Sequence, residues 1–132
     1  MTTANLVNPR TTIVDGNDNV VIVDNFQSIR GGRTLNVEDF TPDAIKAGHV
    51  IIKDSATGDH KPMPVNAAGD AYEALPASHE YTGILIASIP KARPFAGIMV
   101  RGTVNPAAAP YPMDSILAAL KAAMPLIDFR QD

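Results

Sequence analysis

Apolar residues in this chain come in short runs punctuated by Gly, Pro, Asn and Asp, and the densest of them lies in residues 81–105, YTGILIASIPKARPFAGIMVRGTVN. Two apolar runs, residues 83–89 and 95–104, flank a segment carrying Pro90, Lys91, Arg93 and Pro94. Ile and Val suit a pleated, half-buried surface, whereas the prolines and cations interrupt a hydrogen-bonded ladder, so the pattern predicts a hairpin. In the second run Ile98 and Val100 alternate with Met99, Arg101 and Thr103, which predicts one buried face and one face that is wet or in contact with a partner. Ile84, Leu85 and Ile86 are continuous, which predicts a strand covered on both faces and the more central of the two.

The same reading extends along the rest of the chain. Residues 20–23 read as a short β run, and Gly31-Gly32 as a turn or bulge between strands. Residues 36–48 have no sustained period and read as a loop with one helical turn. Residues 50–53 and 61–65 form the arms of a second hairpin, whose tip at 55–59 holds Gly58 and Asp59. Residues 66–80 are a polar, Ala-rich connector. After Asn105 the prolines of PAAAPYP favour extended, polyproline-like backbone. The period then changes: Met113, Ile116, Leu117, Leu120 and Met124 recur at helical spacing, with Asp114 or Ser115 available as a cap and Pro125 as a stop, which predicts a helix over about 113–124. Leu126, Ile127 and Phe129 then suit a short returning strand.

Residues 1–18 are polar and punctuated by Asn8-Pro9 and Asp15-Gly16. A disordered terminus is the commonest fate of such a segment, yet Leu6, Val7, Ile13 and Val14 make it more apolar than a merely solvating tail requires. It reads as an extended N-terminal arm on a single β-rich domain at 19–132. The fold class expected is mainly β (α+β), with one C-terminal helix.

Composition narrows the function. A chain of 132 residues buries roughly two-thirds of its unfolded surface, enough for one modest core. There are no cysteines, so disulfides and thiolate metal sites are out. A net charge of −3 with a pI near 5.5 disfavours nucleic-acid binding, whose affinity comes mostly from neutralising phosphates. No apolar run approaches the ~20 residues that span a bilayer, and the start lacks the apolar core of a signal peptide. A soluble protein without membrane contact is expected.

Candidate chemistry is sparse. His49, His60 and His79 lack metal-ligand spacing. Asp15, Asn17 and Asn19 imitate the start of a calcium loop, but Val20 stands where that loop needs Gly and Phe26 where it needs its bidentate acid. No serine sits in a nucleophile elbow. Glu38 and Asp39 point apart in an extended segment, and Gly31-Gly32 lacks the Lys-Ser/Thr of a phosphate loop. No enzyme, metal or cofactor emerges. Lys91, Arg93 and Arg101 around one hairpin, and Arg30 and Arg33 around another, suit a polar contact with an acidic partner. Scattered surface cations are the default explanation for such groups.

The segments GGRTLNV at 31–37, AGHVIIKD at 47–54, KPMPV at 61–65, YTGILIASI at 81–89 and IMVRGTVNPAAAPYP at 98–112, followed by an Ala-rich helix, resemble tailed-phage head fibre proteins, which decorate capsids. More distantly, the order of a Pro-interrupted arm, β hairpins, a G-I-L-x-A strand and a Gly-Thr strand is similar to the lambda-type head decoration family. That resemblance implies a compact β-tulip or small β-barrel domain, a homotrimer on the outer capsid surface of the virion, and an arm that adds a strand to the major capsid protein. Residues 113–132 are longer and more apolar than that family's pattern.

The residues implied are Leu6, Val7, Ile13 and Val14 for strand addition, and Arg101, Tyr111 and Pro112 for trimer or capsid contact. Backbone ordering of the arm costs more than its hydrogen bonds return, so burial of its apolar residues on a rigid partner edge must make up the difference. The alternative is a small β-barrel module for a carbohydrate or host-surface ligand, which would rely on Tyr72, Tyr81, Tyr111 and the four Phe.

Overall fold

The computed structural model describes residues 16–131. A turn at Gly16 and Asn17 leads into α1 (Asp18–Val21), which passes directly into β1 (Ile22–Ser28). Val20 and Val21 therefore belong to a helical turn rather than to the predicted strand. Their amides both donate to the Asn17 carbonyl, at 3.0 and 2.9 Å, and Val21 is carried into the core.

The following elements are β2 (Arg33–Thr34), β3 (Ala44–Ile45), β4 (Val50–Asp54), β5 (His60–Pro62), β6 (His79–Leu85), β7 (Ile89–Pro90), β8 (Phe95–Ala96) and β9 (Ile98–Val104). A 3-10 turn at Pro106–Ala108 follows, capped by the Asn105 side chain, which accepts from the Ala107 amide at 3.0 Å. Part of the expected polyproline stretch is thus a turn. Helix α2 (Leu117–Ala123) and β10 (Ile127–Phe129) complete the chain.

The fold is mainly β, as the alternation of apolar residues predicts. The principal sheet runs β1-β9-β6-β4-β5, all antiparallel, and β10 adds to β9 in parallel. Strand β6 is the middle of this order, while β9 touches three strands. Pairing of Ile84 with Met99 and Leu85 with Ile98 realises the predicted hairpin. Its connection is longer than the sequence suggests, because β7 and β8 leave to pair with β3 and β2.

Both faces of the central strands are covered. Val50, Ile52, Ile84 and Met99 enter one core, closed by Leu120 of α2, by Met124 at its C-cap and by Ile127 and Phe129 of β10. Their neighbours Ile51, Leu85 and Ile98 point the other way, onto Leu35, Phe40 and Ile45. The expectation of two covered faces is met for the first run. The second run departs from its expected wet face, since Ile98, Met99, Gly102, Thr103 and Val104 are all buried and only Arg101 is exposed.

The helix is shorter than the predicted 113–124. Residues 114–116 form a turn, Ile116 is the N-cap, and no side chain caps the helix. Met113 is 2% exposed, so its place in the apolar pattern records burial rather than helical conformation.

The start of the domain is tied down by one polar node. The Ser88 amide and hydroxyl donate to the two Asp18 carboxylate oxygens at 2.9 and 2.7 Å, and the Ser88 hydroxyl accepts from the Ala47 amide at 3.0 Å. Asp18, placed at the end of the arm from sequence, is therefore part of the folded domain. Replacing Asp18 with Ala removes a charged acceptor from these donors, and a loss of about 1–3 kcal/mol is expected in urea unfolding.

Candidate functional site

Two edges bound the principal sheet, and they differ. Strand β5 is short, carries Lys61 and ends in Pro62, the features that blunt an edge against further pairing. Strand β1 spans seven residues with neither Pro nor Lys, and Asp24, Asn25, Phe26, Gln27 and Ser28 are all exposed. Among the described residues its only strand partner is β9.

The ladder between β1 and β9 continues past their ends. The Ile29 amide donates to the Ile98 carbonyl at 2.9 Å, Arg33 and Thr34 pair with Ala96 and Phe95, and the Leu35 amide donates to the Pro94 carbonyl at 2.8 Å. Positive-φ Gly31 and Gly32 make the turn between these stretches. The Arg33 guanidinium closes it by donating to the Gly32 carbonyl at 2.7 Å.

Topology thus brings together two basic sets that lie far apart in sequence. Arg30 and Arg33 follow β1, Arg93 precedes β8, and Arg101 lies on β9 opposite Gln27. The only carboxylate on strands β1, β2, β8 and β9 is Asp24, in a chain whose net charge is −3. Two large apolar side chains are exposed on these strands, Phe26 of β1 at 69% and Phe95 of β8 at 64%. Arginine and exposed aromatics are the side chains most enriched at protein interfaces.

The residues singled out from sequence fall in different surroundings. Leu6, Val7, Ile13 and Val14 lie outside the described residues. Arg101 is exposed on β9, opposite Gln27 of the edge strand β1. Tyr111 is half-buried instead, its ring 5.5 Å from His49 and 5.2 Å from Tyr72. Pro112 is exposed beside Pro106, Ala107 and Met113 in a shallow groove.

Tyr111 belongs to a cluster that sequence reading missed. His49 is fully buried between Phe40, Tyr72 and Tyr111, with all three ring centroids within 5.5 Å and near-perpendicular to tilted packing. Its Nε2 lies 2.9 Å from the Met63 carbonyl, so the neutral ring carries its proton there and donates it. Nδ1 is buried without a hydrogen-bond partner among the described residues. The Tyr72 hydroxyl accepts from the Val50 amide at 3.1 Å, and burial pushes its pKa well above the ordinary tyrosine value. With two of the three tyrosines in this cluster, the open edge relies on phenylalanine and arginine.

Compared with known families, curated proteins and solved structures, the chain matches none of them. Among the described residues no His, Asp and Glu side chains gather into a metal-binding group, and no helix is long and apolar enough to cross a membrane.

Proposed function

We propose that this chain is a capsid decoration protein of a tailed phage. In this reading it binds the outer surface of the expanded shell as a homotrimer and stabilises the shell by contact rather than by chemistry. The observation that carries the reading is the exposed surface around β1, where Phe26 of β1, Phe95 of β8, Arg33 of β2, Arg101 of β9 and the turn residues Arg30 and Arg93 are spread over strands and turns rather than gathered in a pocket. The resemblance of residues 31–112 to head fibre proteins supports it, and the more distant similarity to the lambda-type head decoration family implies the partner, the major capsid protein.

The N-terminal residues 1–15 supply a second contact, in which Leu6, Val7, Ile13 and Val14 add to a capsid strand. Three such segments in one trimer act at high effective concentration on a symmetric lattice, so attachment is tighter than one segment allows.

Co-sedimentation with expanded, undecorated shells tests this. The intact chain should bind saturably. A variant with Leu6, Val7, Ile13 and Val14 all changed to Ser should bind roughly a hundredfold more weakly or worse, given about 1.5–3 kcal/mol for each buried side chain. Equal binding by both would move the contact wholly to the folded domain. No binding by either would reject the capsid reading.

A further inference from the structure

We infer that the outer edge of β1 accepts an extended, acidic segment of a partner protein as an additional antiparallel or parallel strand. This holds independently of the capsid reading, since it rests on the edge and not on who supplies the strand.

Three observations carry it. First, β1 is seven residues long, free of Pro and Lys, exposed over residues 24–28 and, among the described residues, paired only with β9, whereas the opposite edge at β5 is short and ends in Pro62. A strand edge left open in this way presents a row of backbone donors and acceptors ready to pair. The β1 ladder is irregular at Ile22/Asp24, Asn25/Gln27 and Gln27/Ser28, so pairing is expected over the short stretches between these shifts. Second, the strands around this edge carry Arg33 on β2 and Arg101 on β9, with Arg30 and Arg93 at the adjoining turns, against the single carboxylate of Asp24. The chain as a whole is acidic, so this edge differs in sign from the remainder. Complementarity selects a partner bearing Asp or Glu.

Third, Phe26, the extra residue at the register shift between Asn25 and Gln27, is 69% exposed. In strand addition, main-chain bonds supply affinity and alternate side chains supply specificity. Phe26 offers an apolar anchor for one side chain of the incoming strand, while Arg101 on β9 behind it and Arg30, Arg33 and Arg93 beyond the end of β1 make the surroundings basic. A nucleic acid would satisfy the arginines but has no peptide groups to pair with the edge, which favours a peptide occupant.

The test uses the full chain and a fluorescein-labelled peptide in which Glu alternates with Thr and Val. Anisotropy is read against the same peptide with Lys for Glu, the Glu peptide N-methylated throughout, and a single-stranded oligonucleotide. Backbone amide exchange is followed in parallel.

Saturable binding of the Glu peptide is expected, with slowed exchange in β1 and no binding of the Lys or N-methylated forms. Arg101→Glu and Phe26→Ala both alter exposed side chains, and each should weaken binding by roughly three- to tenfold. Equal binding of the N-methylated peptide would reduce the contact to charge alone and overturn the strand addition. Preference for the Lys peptide or the oligonucleotide would overturn the acidic-peptide assignment, as would no binding at all. Outward-pointing β1 amides, those not bonded to β9, already slow to exchange in the free chain would also overturn it. Concentration-independent protection would assign the edge to the chain's own residues 1–15, and protection that rises with concentration would assign it to a second copy. Peptide binding without shell binding would reject the capsid reading and leave this inference standing.

Discussion

Gly102→Ala and Gly83→Ala are each expected to lower stability by roughly 1–3 kcal/mol or more, the range for forcing extra volume into a packed interior. Both glycines serve one strand. At Gly102, within β9, an added Cβ would collide with the Asp24 carbonyl of β1 and approach the Met99 sulfur to 2.7 Å. At Gly83, within β6, it would collide with the Met99 carbonyl of β9 and come within 2.6 Å of the Ile98 side chain. In each case a backbone oxygen is in the way, and it moves only if a strand moves.

Strand β9 is held between β1 on one edge and β6 and β10 on the other, so either substitution separates the sheet at its most connected strand. Gly97→Ala is the matched control. That glycine is exposed, and its added Cβ would make only ordinary contact with Ile86 at 3.4 Å. A change within about 0.5 kcal/mol is expected there. Urea midpoints for the three variants, with an unchanged denaturant slope, check the prediction. Three equal midpoints would mean that β1 and β6 do not pack on β9 as closely as described.

The same substitutions bear on the functional reading. Gly102 lets β1 lie close against β9, and β1 is the strand that presents Phe26 and the open edge. Gly102→Ala should therefore impair partner binding beyond its effect on folding, whereas Gly83→Ala should act through stability alone.

What the sequence makes legible follows from how local each cause is. The β4–β5 hairpin is readable because its turn residues, Gly58 and Asp59, lie between two apolar arms only a few residues away. The returning strand at Ile127–Phe129 is readable for the same reason, with Pro125 ending the helix just before it. The helix start is misplaced because Met113 satisfies helical spacing while being buried from a turn.

The run at residues 95–104 reads as one strand, but exposed Gly97 divides it, and Phe95 and Ala96 pair with β2 rather than with β6. That division is decided by residues 33 and 34, some sixty positions away. Joining of the two arginine sets is equally non-local, so sequence showed the cations without showing that they share an edge. His49 illustrates the limit most clearly. Read alone it is an ordinary histidine, and its burial is made by Phe40, Tyr72 and Tyr111, which arrive from three other parts of the chain.

That burial predicts an acid-labile fold. Desolvation pushes the pKa of His49 from 6.5 down to about 4, outweighing the Met63 hydrogen bond, which raises it. Above pH 6.5 the ring is neutral in both folded and unfolded chains and contributes no pH dependence. Between pH 6.5 and about 4 the unfolded chain takes up the proton and the folded chain does not, so stability falls as pH falls.

The slope is about 1.4 kcal/mol per pH unit, and the accumulated loss reaches about 3 kcal/mol near the lower limit, below which it levels off. Protonation in place would bury a cation among three aromatic rings with Nδ1 unpartnered, and Tyr72 and Tyr111 are neutral throughout this range, their ordinary pKa lying far above it and burial raising both further. His60, also shifted down, adds in the same direction, so the decisive comparison is between wild type and His49→Phe at each pH.

The variant should be weaker at neutral pH by about 1–3 kcal/mol, since the Met63 carbonyl loses its donor. Its stability should then decline less steeply than wild type from pH 6.5 to 4, and the two curves should converge in acid. Parallel curves over that range would mean that His49 takes up its proton as readily in the folded chain as in the unfolded one, and the closed aromatic cluster would have to open to solvent.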